Sequence, residues 1–284
     1  MNANTAILLI SCPDQRGLVA ALSGFVAAEN GNILHLDQHV DIEQNVFFAR
    51  MEWELDGFRI PRDRLPEAVA QMATPRRMKW ELHFSEQKPR MAIFVSRQAH
   101  CLYDLLARHE AGELEAEIPL IVGNHADLQP AAARFGIPFR VIPADKDRRA
   151  EAEREEIRLL EEHGVDTIVL ARYMQILSGD FVRRYPNRII NIHHSFLPAF
   201  PGAKPYHSAH GRGVKIIGAT AHYVTENLDE GPIIEQDVVR VSHRQTIEDL
   251  VRQGRDLEKV VLARAVHWHL HKKILVYNNK TVIF

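Results

Sequence analysis

Between residues 91 and 193, short apolar runs alternate with helical stretches, and this alternation constrains the fold more than any other feature of the chain. Met91–Val95, Leu120–Val122, Phe139–Ile142 and Thr167–Ala171 read as strands. Between them lie a helix after His100, another over Leu128–Phe135, and a charged one spanning Arg148–His163. Such alternation implies a mainly parallel, Rossmann-like sheet with helices on both faces. The crevice outside the carboxyl ends of its strands then collects the loops at 96–100, 172–178, 191–202 and 224–231.

Residues 6–84 follow a different plan. A short strand, 6–10, leads through a turn into a helix with Leu18, Ala21, Leu22, Phe25 and Val26 at helical spacing. Strands 33–40 and 46–54 come next, the second alternating Phe47, Ala49, Met51 and Trp53 with Phe48, Arg50, Glu52 and Glu54. A helix through Leu65, Ala68, Val69 and Met72 and a strand at 78–84 complete a ferredoxin-like βαββαβ order. The polar, proline-bearing SEQKPR at 85–90 marks a linker, so the expected domains are 1–84 and 91–284.

The chemistry concentrates at 188–232. Ile189, Ile190 and Ile192 read as a buried parallel strand that breaks into polar residues at its carboxyl end. Side chains alternate faces on a strand, so Asn191 and His193 point the same way, toward the crevice. A second β-like run, 216–224, precedes a tight turn carrying Asp229. Amide, imidazole and carboxylate suit attack on a carbonyl. Asn191 donates to an oxygen gaining charge, His193 moves a proton, and Asp229 either orients the imidazole or holds an attacking water.

These residues carry a resemblance. NIH at 191–193, SFLPAFPG at 195–202 and Asp229 within VTENLDEGPI resemble the formyl-transferring and formyl-hydrolysing enzymes that use 10-formyltetrahydrofolate. It extends to LARYMQILS at 170–178, similar to that family's folate-binding loop, and spans residues 90–284. It implies a formyltransferase-type domain with Asn191, His193 and Asp229 as catalytic residues. It also implies a folate pocket built from Met174, Gln175, Ile176 and Leu177, with Val224 and Leu228 on the opposite wall. No permanently bound cofactor is implied, because formyl folate is consumed as substrate.

The turn after the first strand of this domain decides between transfer and hydrolysis. Relatives that pass the formyl group to a phosphorylated amine have a glycine-rich turn there, closing around a phosphate. Here it reads VSRQAHCLYD, without a glycine from Val95 to Asp104. Water is then the expected acceptor, giving formate and tetrahydrofolate and so formate for purine synthesis, with Arg97, His100 and Tyr103 available to fill the vacated space. The competing reading is a formyltransferase acting on glycinamide ribonucleotide or another amine.

The first 84 residues resemble an ACT regulatory module, a type that pairs with a second copy and binds a small amino acid. Within CPDQRGLVA at 12–20, Asp14 and Gly17 lie at a helix entrance whose backbone donors suit a carboxylate; alternatively, Asp14 caps that helix. A homodimer or homotetramer with an amino-acid effector follows as an expectation.

A formal charge of −2, from 35 basic and 37 acidic residues, argues against nucleic acid or an anionic membrane as partner. Two cysteines, Cys12 and Cys101, and an N-terminus without signal-peptide character point to the cytoplasm. The 16 histidines include five within 193–222, but they lack HExxH spacing and paired cysteines, so no metal is expected. Gly211 and Gly213 follow no strand and read as a turn. Near the end, Thr246 and Asp249 read as a capping box opening a helix with Ile247, Leu250, Val251, Leu257, Val261, Leu262 and Ala265 on one stripe. KILVYNNKTVIF then reads as a hairpin turning at Asn278 and Asn279.

Overall fold

The computed structural model describes residues 4–144, 148–198 and 205–284; the AFPG end of the SFLPAFPG motif lies outside them. Contacts divide the chain into two units. The first is Met1–Lys88 with His271–Tyr277 and Val282–Phe284; the second is Pro89–Leu270 with Asn278–Thr281.

The first unit has the βαββαβ order: β1 (Thr5–Pro13), α1 (Leu18–Ala28), β2 (Ile33–Asp41), β3 (Val46–Glu54), α2 (Leu65–Ala73) and β4 (Lys79–Phe84). Its sheet runs β2-β3-β1-β4 and is antiparallel throughout. The period-two pattern puts Leu8, Ile10, Phe47, Met51 and Trp53 on one face, where Leu22 and Val26 of α1 and Leu65 and Val69 of α2 cover them. The other face is also sealed. Leu9 and Phe48 pack with Leu275, Tyr277, Val282 and Phe284, and Arg50 donates to the carbonyls of His271 and Lys272. These tail residues cover Phe48, which alternation places on the outward face. At the start of α1 the capping position is Gly17, with φ at 86°, and no side chain caps the helix, so Asp14 does not serve as its cap.

In the second unit the alternation produces β5 (Arg90–Val95), α3 (His100–Glu110), β6 (Glu117–Gly123), α4 (Gln129–Arg134), β7 (Phe139–Val141), α5 (Arg149–Glu162), β8 (Thr167–Ala171), α6 (Gly179–Arg184) and β9 (Ile189–His193). After them come α7 (Pro205–Gly211), β10 (Ile216–Tyr223), β11 (Ile233–Arg240) and α8 (Ile247–Leu270). The seven strands are ordered β11-β10-β9-β8-β5-β6-β7. β7, β6, β5, β8 and β9 run parallel, and β10 and β11 are antiparallel additions. The chain builds outward from β5 to β6 and β7 on one side and to β8 and β9 on the other. The strand order therefore reverses between β5 and β8, where α/β sheets open a binding crevice.

Burial of the central strands explains their composition. Phe94, Ile168, Leu170 and Ile189 join Phe181, Tyr173 and Leu160 in one apolar cluster, each such side chain contributing about 1.5–3 kcal/mol when fully buried. The capping box forms as read: Asp249 N donates to Thr246 Oγ1 at 3.2 Å and Thr246 N to Asp249 Oδ2 at 2.9 Å. The last strands, β12 (Ile274–Tyr277) and β13 (Lys280–Ile283), form a two-stranded sheet with Asn278 and Asn279 at positive φ between them. Among the described residues, no helix is long and apolar enough to cross a membrane.

Candidate active site

Period-two alternation carries Asn191 and His193 to one face of β9. Antiparallel pairing sets His222 of β10 opposite Asn191. The β10–β11 register slips between Ala221 and His222, an irregularity of the kind that re-aims side chains near functional sites. Asp229 sits in the turn after β10 at φ 57°, a left-handed conformation that aspartate tolerates better than most residues. Gly231 closes this turn against β10, since a Cβ there would lie 1.8 Å from the Tyr223 carbonyl oxygen.

Three of the expected residues and one unexpected residue thus meet. Asp229 Oδ2 lies 3.2 Å from His193 Nδ1, and its Oδ1 lies 3.6 Å from His222 Nε2. Asn191 Nδ2 is 3.2 Å from the same His222 nitrogen, while His222 Nδ1 bonds the Tyr223 carbonyl at 2.9 Å. The His222 Nε2 thus faces both the Asn191 amide and the Asp229 carboxylate. The Asp229 carboxyl is held well below the usual carboxylate range, first by the hydrogen bond from His193 and then by that from His222, both outweighing partial burial. It is a charged group throughout the physiological range.

His193 is buried, and its Nε2 has no hydrogen-bond partner among the described residues. A buried imidazole nitrogen left in this state, on a ring whose other nitrogen is held by a carboxylate, is poised for a proton or an oxygen of a bound molecule. Behind it, Thr220 fixes the chain after β9 by donating to the Ser195 carbonyl and accepting from Leu197 N and Gln236 Nε2.

A cleft of about 390 Å³ opens at the β5/β8 reversal, lined by Ser96, Arg97, Gln98, Asn124, His125, Arg172, Met174 and Gln175. The 172–178 loop beside it is anchored along its length. Met174 N donates to Ser96 Oγ, the Tyr173 hydroxyl to Glu156, and Ser178 N to Glu153. So held, the loop leaves Met174 and Ile176 more than half exposed, while Leu177 is buried in the core. On the other candidate wall, Val224 is half-buried against that core and Leu228 is 61% exposed. Of the residues named to fill the acceptor space, Arg97 lines the cleft. His100 instead bonds Glu258, and Tyr103 lies exposed near Arg134.

His222 was not singled out for this cluster from sequence. Its signal is the run 216–224, once that run is paired antiparallel with β9.

Comparison with known proteins identifies the family. Residues 89–266 match the formyl transferase family and residues 6–69 the ACT domain. The chain is 58% identical, over 99% of its length and 98% of the other's, to the formyltetrahydrofolate deformylase of Synechocystis. It superposes with a TM-score of 0.97 on the crystal structure of a formyltetrahydrofolate deformylase from Pseudomonas syringae pv. tomato, at 48% identity and covering 100% of this chain and 95% of that one. A glycinamide ribonucleotide transformylase from Symbiobacterium toebii matches more distantly, with 30% identity and a TM-score of 0.66 over 72% of this chain and 98% of that one.

Proposed function

The chain belongs to the formyltetrahydrofolate deformylases, and from that premise we propose how its own residues carry out the hydrolysis of 10-formyltetrahydrofolate to formate and tetrahydrofolate. The observation that carries the reading is the pairing of His193 Nδ1 with Asp229 at 3.2 Å while Nε2 is buried with no partner among the described residues.

In this reading the pterin lies against Met174, Gln175 and Ile176, backed by Leu177, with Val224 and Leu228 opposite. The formyl oxygen meets Asn191 Nδ2 and a protonated His193 Nε2, which stabilise the charge that develops as water adds to the formyl carbon. Asp229 orients that water and takes its proton as the new C–O bond forms. His193 Nε2 gives its proton to the folate nitrogen as the C–N bond breaks; the formic acid so formed returns a proton to His193 and leaves as formate, and Asp229 releases the water proton to solvent. The turn at 96–99, where no glycine opens the backbone to a phosphate, supports water as the acceptor.

The test is product analysis with purified protein and formyl folate alone. Steady release of formate and tetrahydrofolate in equal amounts, with no amine present, is expected; dependence on an added amine would sink the reading in favour of a transferase.

The same premise extends to the rest of the chain. Residues 1–84 serve regulation and pairing, 85–90 link, and 91–284 catalyse. The helix start at Gly17, without a side-chain cap, supports a small amino acid as effector of the first unit. The exposed edge strand β2 supports a homodimer or homotetramer. Free Cys12 and Cys101 support a cytoplasmic location. Turnover measured with and without free amino acids tests the effector, and light scattering tests the assembly.

A further inference from the structure

A second knot of buried polar groups in the catalytic unit centres on Glu258 of α8, a carboxylate set within the helix's apolar stripe and only 1% exposed. Its Oε2 accepts from His100 Nε2 at 2.8 Å and its Oε1 from the Tyr206 hydroxyl at 2.7 Å. Arg172 Nε lies 3.5 Å from Oε2 and makes no hydrogen bond among the described residues. A charge so deeply buried is costly unless donors surround it. Gly254, one turn earlier on α8, makes room for one of them, because a Cβ there would come 2.1 Å from Tyr206 Oη. Burial pushes the Glu258 carboxyl up, but the His100 hydrogen bond and the Arg172 charge outweigh it and hold the group below its ordinary value.

The donors come from three separate segments. His100 opens α3 directly after Ser96, Arg97 and Gln98 of the cleft, Tyr206 lies in α7, and Arg172 starts the 172–178 loop. Arg172 has φ at 64°, a left-handed conformation that a long side chain adopts only when its surroundings enforce it. His100, Cys101 and Glu258 place potential ligand atoms within 4.8 Å of one another. Yet both Glu258 oxygens are already bonded, and burial keeps the Cys101 thiol in its neutral form. The arrangement is a hydrogen-bonded clamp rather than a ligand set.

We propose that Glu258 is a positioning residue for the hydrolysis: by holding Arg172 it sets the 172–178 loop against the folate, and by holding His100 it fixes the start of α3 beside the same cleft. This rests on the reading that the loop binds folate. The mechanism above has no role for Glu258, and substrate need not touch it.

The test compares KM and kcat for formyl folate in E258Q, R172Q, the double variant and the loop control I176A, with thermal melts confirming that each folds. E258Q and R172Q should each raise KM about tenfold with kcat within about threefold, and the double variant should be no worse than the poorer single one. A folded E258Q with wild-type KM, or effects that multiply in the double variant, overturns the proposal. Should E258Q not fold, Y206F combined with R172Q takes its place under the same criterion. If I176A and R172Q both keep wild-type KM, the folate-loop reading falls and this proposal with it; if they raise KM while E258Q does not, only this proposal falls.

Discussion

Asp229, in the turn after β10, and Glu156, on α5, are two shielded carboxylates in the same unit whose pKa values move in opposite directions. Asp229 faces the imidazoles of His193 and His222, whose hydrogen bonds hold it far down. Glu156 is 1% exposed and meets a neutral phenol, the Tyr173 hydroxyl at 2.7 Å. Burial lifts it from an ordinary 4.5 to about 7; the Tyr173 bond pulls the other way and the charge of Glu153 adds to the rise. Burial decides at Glu156, where no positive partner offsets it, whereas at Asp229 the imidazoles outweigh it. The first is the group proposed to act on water; the second latches Tyr173 ahead of the loop that follows.

The largest test of this contrast is removal of the charge at Asp229 without change of size. D229N should lower kcat by about 100- to 10,000-fold with a far smaller change in KM. Wild-type turnover in that variant would make Asp229 as structural as Glu156. Next, N191A removes the donor proposed to meet the formyl oxygen, and stopped-flow turnover should fall about 100- to 1,000-fold; a loss appearing in KM alone would move Asn191 from transition-state stabilisation to simple binding.

Glu156 offers the converse test, read in stability. Its folded-state value lies above the unfolded one, so the protein binds that proton more tightly when folded. Its contribution is fully present below pH 4.5 and is lost as pH rises through about 7. Chemical denaturation of E156Q should remove that slope, leaving the variant ahead of the parent by about 1–3 kcal/mol at pH 8. Identical pH profiles for parent and variant would break the comparison. The smallest effect is expected at the exposed loop. I176A should raise KM about 3- to 10-fold with little change in kcat, in keeping with one partly exposed apolar contact.

How much of this was legible in the sequence follows from the range of each interaction. Asn191 and His193 share a face because strand periodicity is local, and Asp229 announced itself as a turn residue after the second β-like run. His222 was not legible as a partner, since its place opposite Asn191 depends on the β9–β10 register, set across 31 residues. Glu258 left a faint mark, a carboxylate beside Leu257, Val261 and Leu262, which the apolar stripe concealed. The outward face of the first sheet was misleading in another way: Phe48 stands among the polar residues of β3, and its cover, Leu275 and Tyr277, comes from the far end of the chain.

The central claim is that this cluster directs solvent, and no other nucleophile, at the formyl carbon. It is tested most directly by turnover of formyl folate in ¹⁸O-enriched water with a large excess of a primary amine such as glycinamide. Every tetrahydrofolate released should be matched by a formate carrying solvent oxygen, with the amine unchanged. Formylated amine in place of labelled formate would contradict the account.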